Sequence, residues 1–186
     1  MTVPPSPEGG LFFWYTGGMD LGLMQLVQAW HPDWLTQVTR LVSVLSDTPS
    51  YFFAVPVVAA AYFRHGRRRL AAATVLVTAG NLLNPLIKSI VERPRPTTDI
   101  VSVLEQANNS SFPSGHALGA MVFYGFLAWV AWSEGRRGLA AGLVAAILLV
   151  GVSRIYLGVH WPSDVLAGYA IGLVWIVAFR WLVPVR

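Results

Sequence analysis

Five apolar runs separated by short turns constrain this chain more than any other feature. They lie at Tyr51 to Phe63, Leu70 to Ile87, Ala117 to Trp132, Leu139 to Val152 and Val165 to Val183. A bilayer crossing takes about 20 predominantly apolar residues, a length each run approaches once its flanking turns are included. Apolar residues fill 55% of the 186 positions and charged ones 12%, too few to solvate a globular surface, so lipid is the expected solvent. The predicted fold is therefore all-α, an integral membrane helical bundle of five or six transmembrane helices with N-terminal amphipathic helices. Prolines and glycines punctuate the runs instead of gathering between them, so residues 1–186 read as a single membrane-embedded domain. Within it, 1–46 form an N-terminal tail and amphipathic helices, and 47–186 the transmembrane core.

The N-terminal part is the least regular. Met1 to Gly18 lacks a basic n-region and does not read as a signal peptide. Asp20 to Trp30 and Trp34 to Ser46 carry apolar residues at helical spacing, with Leu35, Val38, Leu41 and Leu45 opposed by Gln37, Arg40 and Ser43. That pattern predicts interfacial helices. An alternative makes Leu11 to Trp30 a first crossing, against which Asp20 and three glycines count.

The formal net charge is +4, yet eight of the thirteen basic residues sit at the ends of apolar runs: Arg64, Arg67, Arg68, Arg69, Arg136, Arg137, Arg180 and Arg186. Such placement sets topology and gives no reason to expect a nucleic-acid partner. Arg64 to Arg69 and Arg136 with Arg137 occupy alternate turns and belong on the cytoplasmic side by the positive-inside tendency. The turns at Lys88 to His116 and Arg154 to Asp164 then lie outside. Small residues four apart, Gly115 and Gly119, Gly138 and Gly142, Gly168 and Gly172, suit close helix packing within the bundle or in a homodimer. With no cysteine there is neither a disulfide nor a thiolate metal site.

Three polar constellations interrupt this apolar pattern. In the first, Asn81, Asn84 and Lys88 form a stripe along one helix face that should look inward, before Pro94 and Pro96 end the helix beside Arg93 and Arg95. A blander alternative pairs Lys88 with Glu92 and leaves the arginines to lipid headgroups. In the second, Ser111 to His116, Pro113 suits a first helical position, so that Ser114, Gly115 and His116 would occupy the first turn. The free amides of that turn favour an anion; the alternative is a plain helix start. In the third, Ser153 to Asp164, Pro162 again opens a helix. Asp164 can accept from one nitrogen of His160 and leave the other free, or it can merely cap the helix.

Convergence favours chemistry. The two apolar runs between His116 and Arg154 turn at Arg136 and Arg137, so the second and third constellations share one membrane face. The polar loop Thr97 to Ser110 brings the first to the same face. Lys88, Arg95 and Arg154, with a helix-start anion site, two histidines and a carboxylate, describe phosphate chemistry without metal. His160, oriented by Asp164, is the better nucleophile, and His116 can protonate the leaving oxygen. The cations then stabilise the transferring phosphoryl group, and water hydrolyses the phosphohistidine.

The spacing of Lys88, Arg95-Pro96, Pro113-Ser114-Gly115-His116, Ser153-Arg154, His160 and Asp164 resembles the three-part signature of the type 2 phosphatidic acid phosphatase family. The resemblance implies an α-helical membrane bundle and metal-independent hydrolysis of a phosphate ester or anhydride, with no cofactor. It implies His160 as nucleophile, His116 as acid, and Lys88, Arg95, Ser114, Gly115 and Arg154 as phosphate ligands. Within the family, the short loops and Asn81 to Pro96 look most like the bacterial phosphatidylglycerophosphate and undecaprenyl pyrophosphate phosphatases. Phosphatidylglycerophosphate, phosphatidic acid and undecaprenyl pyrophosphate are then the expected lipid substrates, in a multi-pass cell-membrane enzyme whose site faces the extracytoplasmic side. The rivals are a vanadium haloperoxidase-like enzyme, against which five lipid-length helices count, and a membrane protein that binds or transports an anion or lipid without cleaving it. Asn108 to Ser111 fits a glycosylation pattern but reads as loop, and Trp14, Trp161 and Trp181 read as interfacial anchors.

Overall fold

The computed structural model describes residues 17–182, and among these all regular structure is helical. Two short helices, α1 (Gly17–Val27) and α2 (Asp33–Leu45), precede α3 (Thr48–Arg64). The next stretch, Arg68–Val91, is one span of 24 residues built from α4 (Arg68–Val77), a 3₁₀ segment (Thr78–Leu82) and α5 (Leu83–Val91). Gly115–Ser133 is another, formed by α6 (Gly115–Ala120), a π-helical segment (Met121–Gly125) and α7 (Phe126–Ser133). The last two spans are α8 (Arg137–Tyr156) and α9 (Pro162–Leu182).

Four helical stretches are thus long and apolar enough to cross a membrane. Asp33–Leu45 and Pro49–Arg64, bent by 58°, make a fifth if counted as one span. The described residues reach the lower of the two expected counts and not six; the proposed crossing from Leu11 begins outside them.

The core forms where α4, the Gly115–Ser133 span and α9 meet. Leu70, Val77, Leu118, Val122, Phe126 and Phe179 are buried together there, with the rings of Phe126 and Phe179 edge to face at 6.3 Å. Outside this centre the pattern inverts. Phe52, Phe53, Leu148, Leu149 and Val174 are exposed, as expected where hydrocarbon replaces water around the bundle.

The same inversion appears in α2. Trp34, Val38, Leu41 and Leu45 point outward, while Thr39 and Ser43 are buried against the protein. Hydroxyls need partners and apolar groups do not, so in lipid these hydroxyls turn in, while Gln37 and Arg40 stay exposed. In α1, Asp20 and Gln28 are likewise buried.

Of the three glycine pairs, two pack closely. A Cβ on Gly168 would stand 2.7 Å from the Ser114 carbonyl, and one on Gly172 2.8 Å from Met121, so only glycine lets α9 lie this close to α6. Gly115 and Gly119 receive the Asn84 and Asn81 side chains of the inward polar stripe. Gly138 and Gly142 have nothing within 4 Å, contrary to expectation, because both lie on the outer face of α8.

The basic turns after α3 and α7 meet through an Arg67–Glu134 ion pair, which fixes them at one end of the bundle. The opposite end gathers residues 92–114, the turn after α8 and the start of α9. Gln28 ties these together, donating to the Ser102 and Tyr156 carbonyls at 2.7 and 2.9 Å.

Candidate active site

At that second end the three constellations converge. Helix α5 stops at Val91, with Glu92 in the left-handed region at φ 47° and Pro94 following. Beyond the helix the chain alternates sides, sending Arg93 toward the start of α9 and Arg95 toward His160. Lys88, in the last turn of α5, donates to the Ser110 carbonyl instead of pairing with Glu92. Arg95 is held by Asn109, through Nε to its carbonyl at 2.7 Å and Nη2 to its side-chain oxygen at 2.5 Å. Its Nη1 reaches the Val159 carbonyl and lies 3.3 Å from His160 Nε2. Burial, reinforced by the nearby Arg154 charge, lowers the Arg95 pKa from its ordinary value.

The helix expected to open at Pro113 opens at Gly115. Ser114 takes the N-cap, its Oγ accepting from Ala117 N at 3.4 Å, and Pro113 falls just outside. The shift follows from chemistry, since a serine hydroxyl satisfies an unpaired amide that proline cannot cap. Ser114 N also donates to the Asp164 carbonyl at 3.0 Å, joining the starts of α6 and α9. His116, in the first turn, keeps partial exposure, with Nε2 3.6 Å from Asp47 Oδ1.

Arg154, near the end of α8, is 2% exposed. Its Nη2 donates to Glu105 Oε1 at 2.8 Å and its Nη1 to Ser43, while its buried Nε has no partner. Burial works to raise the Glu105 pKa, but the hydrogen bond and charge of Arg154 outweigh it and hold the carboxyl below its ordinary value.

His160 is enclosed, and burial, helped by Arg95 and Arg154 against the pull of Asp164, lowers its pKa to about 4. Its Nδ1 faces Asp164 Oδ2 at 3.6 Å, beyond hydrogen-bond length. That oxygen is already taken by Ser111 Oγ at 2.5 Å and Trp161 N at 2.9 Å. The last bond is the helix cap of the blander alternative, so Asp164 caps α9 and faces His160 at once. The other oxygen, Oδ1, accepts from Arg93 Nη1 at 2.6 Å. All eight residues singled out from the sequence therefore lie at this one end, drawn together by contacts within and around the set.

Residues 69–186 match the family model described as the PAP2 superfamily. The chain belongs to this superfamily. Phosphatidylglycerophosphatase B of Bacillus subtilis (strain 168) is 30% identical over 151 residues, 76% of this chain and 71% of that one. Undecaprenyl-diphosphatase BcrC of the same organism is 31% identical over 110 residues, 58% of this chain and 54% of its own. Among solved structures, the first transmembrane PAP2 type phosphatidylglycerolphosphate phosphatase from Bacillus subtilis superposes with a TM-score of 0.80. Its identity is 24%, with 89% of this chain and 85% of that one covered, which speaks to the fold. Aquifex aeolicus LpxE aligns with a TM-score of 0.69 at 25% identity, covering 86% of this chain and 93% of its own. As a PAP2 protein the chain is a multi-pass membrane protein and a phosphatase.

The PAP2 match holds every residue picked from the sequence, but three groups at the site precede it: Asp20, Ser43 and Asp47. Within it, Arg93, Glu105, Asn109 and Ser111 were also missed as site residues. A signal existed for two of them. Arg93 repeats the Arg-Pro step of Arg95-Pro96, and Glu105 is an acid in a loop otherwise short of charge.

Proposed function

We propose that this enzyme removes phosphate from a membrane lipid phosphate through a phosphohistidine on His160. The observation that carries the reading is His160 itself: a buried imidazole with Nδ1 toward Asp164 and Nε2 3.3 Å from Arg95 Nη1. An Asp164 facing Nδ1 favours the proton there and leaves the Nε2 lone pair for attack. In the first step Nε2 bonds to phosphorus while the phosphorus–oxygen bond to the lipid breaks, and His116 protonates the departing oxygen. In the second, water attacks the phosphohistidine, His116 takes the water proton, and phosphate leaves. Lys88, Arg95 and Arg154, with the Ser114 and Gly115 helix start, balance the phosphoryl charge. Metal plays no part in this scheme, because three cations and helix amides supply the positive field.

The relatives' names, phosphatidylglycerophosphatase and undecaprenyl-diphosphatase, suggest phosphatidylglycerophosphate or undecaprenyl diphosphate as substrate, and phosphatidic acid is the simpler lipid monophosphate of the same class. The exposed apolar belt keeps such a substrate in the same layer as the enzyme. Joined basic turns at the far end favour a catalytic end on the extracytoplasmic face. The test is phosphate release by purified protein in EDTA across those lipids and undecaprenyl monophosphate. Release from at least one is expected, with a loss of at least about 10⁴-fold in His160→Ala. Full activity in that variant, or a requirement for added metal, refutes the scheme.

A further inference from the structure

Arg93 has no role in the reaction just described, yet among the described residues it is the arginine at the site that pairs with two carboxylates. Its Nη1 donates to Asp164 Oδ1 at 2.6 Å and to Ser163 Oγ at 2.7 Å, and its Nη2 donates to Asp20 Oδ2 at 2.8 Å. Ser163 closes the ring, donating from its backbone N to Asp20 Oδ1 at 2.9 Å and from Oγ to Asp20 Oδ2 at 2.5 Å. The Arg93 carbonyl accepts from Ser111 N at 2.8 Å, and Ser111 Oγ in turn donates to Asp164. The guanidinium lies 5.7 Å from the centre of the Trp161 ring, and both of its ion pairs are largely buried.

One guanidinium thus bridges two carboxylates, one on α9 and one on α1, far outside the stretch that matches the family. It takes the Asp164 oxygen that does not face His160, which excludes a simple competition with the imidazole. Buried arginine–carboxylate bonds of this kind fix orientation as well as charge. Were Arg93 paired with Asp164 alone, it would cancel the charge that an imidazolium or phosphohistidine needs nearby. Asp20 shares the cation and leaves part of that charge in force.

We propose that Arg93 and Asp20 are a positioning pair: Arg93 holds the Asp164 carboxylate behind His160, and Asp20 sets how much of the arginine's charge reaches it. Helix α1 is then part of the catalytic apparatus, although it touches no phosphate. The inference rests on the phosphohistidine reading above.

The pair has a signature in the pH profile, because it adjusts the field at His160. The charged groups acting on that imidazole are Asp164 on α9, Arg95 in 92–114, Arg154 on α8 and His116 on α6, with Glu105 beside Arg154 and Lys88 on α5 beside Arg95 and Asp164. Removing the Arg93 charge frees Asp164 to favour the imidazolium, so His160 protonates at higher pH. Removing the Asp20 charge lets Arg93 act fully on Asp164, so His160 protonates at lower pH.

The experiment measures kcat and KM of the full-length protein on phosphatidic acid in mixed micelles, from acidic to neutral pH, for Arg93→Gln, Arg93→Lys and Asp20→Asn. Arg93→Gln is expected to lower kcat about 10–100-fold with little change in KM, and to move the acid limb up by about one unit. Asp20→Asn is expected to move the limb the other way. Arg93→Lys, which keeps the charge without the fork, should lower kcat with the limb unmoved. Equal losses at every pH with unmoved limbs in all three would reduce the pair to a structural clamp, and a raised KM at constant kcat would make Arg93 a phosphate ligand; either overturns the proposal. Should Arg93→Gln not fold, the near-isosteric Asp20→Asn decides alone, and an unmoved limb there overturns it. His160→Ala in the same series separates the two readings. Activity in His160→Ala sinks the phosphohistidine scheme, whereas its loss alongside unmoved limbs sinks only the positioning pair.

Discussion

The two ends of the bundle use the same residue in opposite ways. At the end with the basic turns, Arg67 is 36% exposed, pairs with a Glu134 that is itself 25% exposed, and lies 5.3 Å from the centre of the Tyr62 ring. Arg68 and Arg137 rest on Phe63 and Trp132 in the same manner. At the other end Arg154 is enclosed, held by Glu105 and Ser43, and keeps one nitrogen unpartnered. An exposed arginine is screened and interchangeable with its neighbours, whereas a buried one is committed to whatever it faces. Desolvation, and not residue type, separates the two sets of cations, and in the proposed scheme only the buried set meets phosphate.

Substitutions test this contrast most directly at Arg154. Arg154→Lys keeps the charge but loses the fork, and phosphate release should fall about 100-fold, measured at saturating lipid. Activity within about twofold of the parent would make its burial incidental. The buried cations also bear on pH. In the proposed scheme His160 attacks only when neutral, so with its pKa lowered to about 4 the enzyme should stay active well into acid, then lose about tenfold per unit below that point. Burial is the main cause and Arg95 a secondary one, so Arg95→Gln should raise the acid limb by less than about one unit.

Packing gives a smaller contrast. Gly168→Ala drives a methyl into the Ser114 carbonyl and should cost about 1–3 kcal/mol in detergent unfolding, whereas Gly142→Ala meets open space and should be neutral or slightly stabilising. The smallest effect belongs to the other end. Arg67→Ala should lower stability by less than about 1 kcal/mol and leave phosphate release unchanged. A large activity loss there would break the division between the ends.

Much of this division is legible in the order of residues alone. Apolar runs mark the spans, and the basic turns put Lys88, His116 and Arg154 at one end by counting crossings. What spacing cannot give is the sign of a face. Gly138 and Gly142 repeat every four residues just as Gly168 and Gly172 do, yet only the second pair meets another helix. Helix α2 has the expected period, but which side turns inward does not follow from it, because periodicity does not say whether water or lipid lies outside. Asp20 counts against a crossing when read locally, since its partner Arg93 is remote in sequence. Asp164 likewise fits both a cap and a histidine partner, and only the folded geometry shows that it caps α9 while facing His160 Nδ1 at 3.6 Å.

The π-helical segment at Met121–Gly125 carries a consequence for how this span could have arisen and how it can be cut. A regular α-helix advances about 100° per residue, so one wide turn rotates all that follows relative to all that precedes. Gly115 and Gly119 address the Asn84 and Asn81 side chains on one side of the span, while Leu118 before the segment, Val122 within it and Phe126 and Val130 after it all stay in the core shared with Leu70 and Phe179. The wide turn thus keeps side chains four apart on one core-facing side along the whole span. Deleting one residue within it would restore a uniform helix at the expense of one alignment or the other. An insertion elsewhere in the span would have no such joint to absorb it.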